Sequence, residues 1–491
     1  MNFSPLTMQP KTTLYLLLVF FTLNLSGQQN HLMYFARDLP QANYLNPAYQ
    51  IPCKWWVGVP VLSSLHLNYA NSLFSFNSLF PGDANGRNLD LNSQVNKINR
   101  NNFIGLETHI TLFGLGYRKN DWYYNFMITE KAEVDLFLSK GFVGFAWNGN
   151  AASIGETIKI KNTGIYLNHY REYAFGVSKQ VNDNLLAGVK AKILFGKFNA
   201  TTTRTKASLT TSEHEYYLDA DYNVLVRTSL VDNFDIENAE GSVNREDYSQ
   251  PNEIIPLLLN RKNPGIAFDA GFVYQYNERT NINASLIDIG FIRWRSHLNT
   301  FESDGEYSFY GISEDNQYTV SDKDFFLDTL DFEETHKKYF KLLPPKLNAG
   351  IQYAILPRLN ANFLITSKLY PEKWVNTASL TFDSQILNWL YLTTGYTIQY
   401  GSYNNVGLGF ILGRSPIQFY AFTDNLTGMI WPQTTRNINL RFGLNINLGC
   451  RNKSSSDRTK KFSGSEVPCP DIEIRQNDYK QKILRKRNRT K

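Results

Sequence analysis

The stretch Asn437-Ile438-Asn439-Leu440-Arg441-Phe442-Gly443-Leu444-Asn445-Ile446-Asn447-Leu448 places a large apolar residue at every even position and a polar residue or glycine at every odd one. A period of two sorts side chains onto the two faces of a strand, whereas a helix would scatter them around its circumference. The same split recurs upstream. Ile266, Phe268, Phe272, Tyr274 and Tyr276 share one side of their segment, Leu185, Ala187, Val189, Ala191, Ile193 and Phe195 oppose Gly188, Lys190, Lys192 and Gly196, and Val406, Leu408, Phe410 and Leu412 oppose Gly407 and Gly409. Alternation with Tyr, Phe and Trp on the apolar side, repeated in segment after segment, is the pattern of a transmembrane β-barrel.

Composition narrows the class. The 491 residues include 33 Phe, 29 Tyr and 8 Trp, so aromatics make up 14% against 19% charged, yet mean hydropathy is only −0.35. A bundle of membrane helices would be far more apolar, while a barrel wets one face of every strand and so averages like a soluble chain. No stretch beyond the N-terminal region approaches the length of a membrane-spanning helix.

Residues 1–27 read as a signal peptide: Lys11 opens it, Leu14 to Phe21 form the apolar core, and Ser26-Gly27 offer small residues for cleavage. Residues 28–53 are polar and punctuated by Pro40, Pro47 and Pro52, as suits an irregular plug or periplasmic segment. Residues 54–449 carry the barrel pattern, with alternating segments at 54–70, 104–118, 121–137, 164–180, 184–205, 214–231, 264–277, 280–296, 346–356, 359–370, 374–383, 388–400, 404–413, 416–424 and 437–448. Turns near Asn120, Asn182, Glu278 and Pro357 are tight, whereas 71–102, 232–263 and 321–345 are long and polar. Short turns on one side and long loops on the other predict an all-β, antiparallel outer-membrane barrel of about 14 strands, within a range of about 12–16. Trp55, Trp56, Trp122, Trp294, Trp374, Trp389 and Trp431 fall near strand ends, where headgroup girdles sit.

Residues 450–491 form a basic tail expected to lie disordered in the periplasm. It holds thirteen Lys and Arg against five Asp and Glu, a net +8, which leaves the rest of the chain at −2 within the overall +6. Such a tail is either a simple solvated run or a docking arm for an acidic partner, and export argues against nucleic acid. Of the three cysteines, Cys450 and Cys469 are the expected disulfide pair with Cys53 left over, and three unpaired thiols are the alternative.

No catalytic signature is present. The seven histidines stand singly, and there is no HExxH, Cys/His cluster, calcium loop, nucleophile elbow or phosphate loop, so neither an enzyme, a cofactor nor a metal is expected from motifs. Residues from separate strands could still converge in the lumen. Lys190, Lys192 and Arg441 occupy inward positions, as residues of a wet interior would.

Leu45-Asn46-Pro47-Ala48-Tyr49 resembles the Asn-Pro-Ala signature near the mature N-terminus of FadL-like fatty-acid transporters and of Bacteroidota barrels associated with type IX secretion, with Tyr49 where a small Gly is common. The stretch from Gly413 to Leu426, followed by the last alternating segment, is similar to the closing strands of a Bacteroidota outer-membrane family known as domain of unknown function 5723. The resemblance implies a barrel whose N-terminal segment lies inside as a plug, with Asn46, Pro47 and Ala48 as gating candidates. It implies a protein of the Gram-negative outer membrane, in contact with its lipid, that binds or passively transports a small hydrophobic molecule. The alternative is a scaffold barrel holding a secreted or surface protein through its long loops or the tail 451–491.

Overall fold

In the computed structural model the described residues are 30–83, 86–213, 217–230, 259–309, 332–370, 373–399 and 402–450. Residues 1–27, read as a signal peptide, the tail residues 451–491 and with them Cys469 lie outside them. The chain forms a closed antiparallel barrel of 14 strands. Strand β1 has two arms, Cys53–Gly58 and Leu65–Asn71. It is followed by β2 (Asn101–Lys119), β3 (Trp122–Ser139), β4 (Gly164–Asn182), β5 (Leu185–Thr211), β6 (Asn263–Gln275) and β7 (Thr280–Trp294). The circuit continues through β8 (Lys346–Leu356), β9 (Leu359–Tyr370), β10 (Lys373–Leu387), β11 (Leu390–Gln399), β12 (Ser402–Leu412), β13 (Ile417–Thr423) and β14 (Asn437–Cys450). Each strand pairs with the next, and β14 returns to β1 with Trp55 opposite Leu448 and Leu65 opposite Phe442, which leaves no open edge.

The core is inverted relative to a soluble protein. Val189, Ile193, Phe268, Phe272, Leu286, Leu347 and Ile351 are exposed on the outer wall, while the alternate positions Lys190, Lys192, Asp269, Asn283 and Asn348 are buried inside. An apolar exterior around a polar interior is stable only where lipid replaces water outside. Exposed Trp55, Trp122 and Trp389 mark the end with the tight turns, and Trp147, Trp374 and Trp431 mark the other. Trp56 and Trp294 do not join these girdles. Both are fully buried, because each sits one residue out of phase with the lipid-facing positions and turns into the lumen.

One expected barrel strand is displaced. Strand β5 pairs with β6 only from Leu185 to Gly196, after which its outer half, Asn199 to Thr211, pairs with Leu218–Ser229. That segment pairs in turn with Leu298–Phe309, which takes on Glu333–Thr335. The stretch read at 214–231 is therefore a strand of a sheet standing above the rim. The disulfide also differs from expectation. Cys450 is bonded to Cys53, not to Cys469, because antiparallel pairing of β1 with β14 sets Cys53 directly opposite Cys450 at the seam.

Candidate functional site

Residues 30–52 thread into the barrel and fill the half nearer the tight turns. One helical turn, His31–Tyr34, and a 3₁₀ turn, Pro40–Tyr44, bury Leu32, Met33, Tyr34 and Ala42 completely, and Leu39, just before the second turn, is buried with them. Apolar residues of this plug meet inward-facing wall residues such as Leu186, Val273, Leu364, Ile411 and Tyr420. Polar anchors complete the fit. The Asp424 carboxylate accepts from the backbone N–H of Asn30 at 2.6 Å and of Leu32 at 3.0 Å, and the Gln41 and Asn445 amides exchange hydrogen bonds of 2.7 and 2.9 Å. Lys190 donates to the Asn43 carbonyl at 2.9 Å.

Asn46, Pro47 and Ala48 lie together against β5, β6 and β7. The Asn46 amide donates to the carbonyls of Phe272 and Ala284, both at 3.3 Å, and its Oδ1 accepts from the Ala48 N–H at 3.0 Å. A Cβ on Gly188 would stand 2.2 Å from the Pro47 carbonyl oxygen, and one on Gly271 would stand 2.3 Å from Asn46 Oδ1. Glycine at these two wall positions is what lets the plug backbone approach so closely.

Beyond the plug the lumen is charged. Lys192 Nζ lies 2.6 Å from Asp288 Oδ1, 2.7 Å from Asp269 Oδ1 and 3.6 Å from Glu172 Oε2, and Lys131 bonds Glu172 at 2.8 Å. Ile287 and Asp288 both face inward although they are neighbours, because Asp288 adopts φ 62°, and its N–H is satisfied by Asp269 at 2.8 Å. Glu107 and Glu133 are direct register partners, and the repulsion is relieved by Lys346 at 3.8 Å from Glu107 and by the ion pair of Lys368 with Glu133. Between plug and charges remains a cavity of about 50 Å³, room for ordered water and nothing larger.

The mouth opposite the tight turns holds a pocket of about 280 Å³. Tyr166, Tyr339, Tyr370 and Phe137 supply ring surface, and Arg227 and Lys341 supply charge. Lys341 Nζ lies 5.2 Å from the Tyr166 ring centre and donates to Thr201 at 2.7 Å, while the Arg227 guanidinium lies 5.7 Å from the Tyr339 ring. Among the described residues neither cation has a carboxylate partner, unlike Arg204, which pairs with Glu302 at 2.6 Å. At the pocket floor the Tyr370 hydroxyl donates to Asp135 at 2.7 Å.

The structure thus gathers Asn46, Pro47 and Ala48 at one wall contact, and it places Lys190, Lys192 and Arg441 inside as alternation implied. The mouth pocket was not foreseen. Its residues come from seven separate segments, and only strand pairing across the rim brings Tyr339 and Lys341 beside Thr201 and Tyr166. The convergence of His66, Glu107 and His109 was equally hidden, since β1 and β2 are separated by a long connection.

Comparison with known proteins gives this barrel a family. Residues 47–424, most of the chain, match a family of unknown function, DUF5723. The chain belongs to that family. No curated protein matches it. Among solved structures it is similar to the toluene transporter TbuX of Ralstonia pickettii, at 10% identity and TM-score 0.38, covering 84% of this chain and 94% of that one. It is also similar to a FadL homologue of Pseudomonas aeruginosa, at 12% identity and TM-score 0.35, covering 84% and 94%. The translocator domain of the autotransporter NalP from Neisseria meningitidis matches at 6% identity and TM-score 0.29, covering 90% and 100%.

Proposed function

We propose that this barrel resides in the Gram-negative outer membrane and binds a small amphipathic anion at its outer mouth, with passage inward gated by the N-terminal plug. The observation that carries the reading is the mouth pocket, where ring faces lie beside two cations that have no carboxylate partner among the described residues. Rings take an apolar or aromatic body, and Arg227 and Lys341 take a carboxylate or similar head. The ligand class is therefore narrower than a purely hydrophobic molecule, because the lumen below is lined by paired charges and offers no apolar path among the described residues. Asn46, Pro47 and Ala48 are the proposed gate, because they join the plug to the wall.

A scaffold role is the second reading, favoured by the filled lumen and by the sheet rising above the rim as a protein-facing surface. Calorimetry on the detergent-purified barrel separates the two. A medium-chain fatty acid and an aromatic carboxylate should bind saturably, the matching alcohols at least tenfold more weakly, and Lys341→Met with Arg227→Met should erase the preference. Absence of saturable binding by either carboxylate would sink the ligand reading and leave the scaffold.

A further inference from the structure

Strand pairing sets His66 on β1 directly opposite His109 on β2, so the two imidazoles point into the lumen side by side, with ring centres 5.3 Å apart. Glu107, two residues before His109, shares that face, and its Oε1 lies 2.9 Å from His109 Nε2. One ligand atom from each of the three residues falls within 4.8 Å of the others. His66 is 1% exposed, and neither of its ring nitrogens has a hydrogen-bond partner among the described residues. A buried imidazole that forgoes both hydrogen bonds is costly unless something else uses its lone pair.

We propose that His66, Glu107 and His109 form a binding site for a divalent transition-metal cation of the zinc class. Two imidazoles and one carboxylate are a donor set that suits Zn²⁺, whose bonds of about 2.0–2.2 Å hold tetrahedral ligand atoms about 3.4 Å apart, within reach of small side-chain rotations here. Glu107 and His109 line the cavity of about 50 Å³, which has room for a water as fourth ligand. The cations nearby do not close the site. Lys346 sits 3.8 Å from Glu107 but also 3.9 Å from Asp288, so it keeps a carboxylate when Glu107 turns to the metal, and Arg441 is engaged by Asn30 at 2.8 Å and Ser64 at 3.1 Å. Access runs from the mouth. Asp135 and Glu133 stand between the Tyr370 floor of the mouth pocket and Glu107, in a cavity of about 20 Å³ that Glu107 and Lys368 also line, and Asp135 offers an entering cation a carboxylate while Glu133 is held by Lys368.

The site is independent of the proposed anion pocket, since it shares no residue with it. The test is calorimetric titration of Zn²⁺ into the folded, chelator-stripped barrel, together with zinc X-ray absorption on the wild-type protein. Close to one equivalent should bind, the absorption spectrum should show two imidazoles in the metal shell, and His66→Gln and His109→Gln should each weaken binding at least tenfold while His297→Gln leaves it unchanged. Heat-modifiable electrophoretic mobility reports whether each variant is folded. Less than a fifth of an equivalent, a shell with no imidazole, or undiminished binding by folded His66→Gln would overturn the assignment, and the absorption spectrum decides even if the variants do not fold.

Discussion

At the scale of single residues, the plug is held by groups that are nearly interchangeable in a hydropathy profile and wholly distinct in place. The Asn-Pro-Ala triplet stands out in the sequence, but its partners Gly188 and Gly271 look like any small residue on the polar side of a strand. Gly188→Ala should push the plug off the wall, since its Cβ would overlap the Pro47 backbone, and limited proteolysis should then cut within residues 30–52 while the barrel stays intact. Asn46→Ala should act the same way by stranding the buried Ala48 N–H, at a cost of about 1–3 kcal/mol. Unchanged protection of the plug in both variants would mean that this contact does not seat it. In the lumen, Lys192→Met leaves Asp269 and Asp288 short of their shared cation and should lower unfolding stability in lipid by about 3–5 kcal/mol. Adding Asp269→Asn should restore part of that loss, and a strictly additive double variant would argue against the pair.

At the scale of elements, alternation located the strands because every lipid-facing position must be apolar, and thus all 14 barrel strands have a counterpart among the sequence segments. Pairing partners are another matter. Nothing local in β5 marks Gly196 to Asn199 as the place where it leaves β6 and takes up Leu218–Ser229, because a strand in the rim sheet alternates just as a barrel strand does. The cysteines teach the same lesson, since nearness in sequence favoured Cys469 for Cys450, while closure of the barrel brings Cys53 to it across a sequence separation of 397. Peptide mapping under non-reducing conditions should recover the Cys53–Cys450 linkage, and Cys53→Ser should lower the temperature at which the folded band disappears on electrophoresis. Linking the ends of so long a loop contributes up to about 5 kcal/mol in the chain-entropy account, so a variant as stable as the wild type would show that strand pairing alone closes the seam.

At the scale of the whole molecule, a barrel of this circumference without a plug would enclose an aqueous channel, because its inner wall is polar from Lys131 through Asn348 to Arg441. Residues 30–52 remove that channel by supplying an apolar filling where the wall offers Leu186, Val273, Ile411 and Tyr420, and the ion-paired layer above them fills the rest. The wall and its filling separate in their energetics: the strands are held by the closed ladder, while the plug is held by side-chain anchors at Asp424, Asn445 and the β6 and β7 carbonyls. Removal of residues 30–52 should therefore spare the ladder and open the lumen. In planar bilayers the intact protein should show no steady conductance, whereas the deletion variant, once shown to be folded by its heat-modifiable mobility, should give stepwise, ohmic channels. Equal conductance from the two would place the barrier to passage in the charged layer itself, with Lys131, Lys192 and Asp288 rather than the plug as the closure.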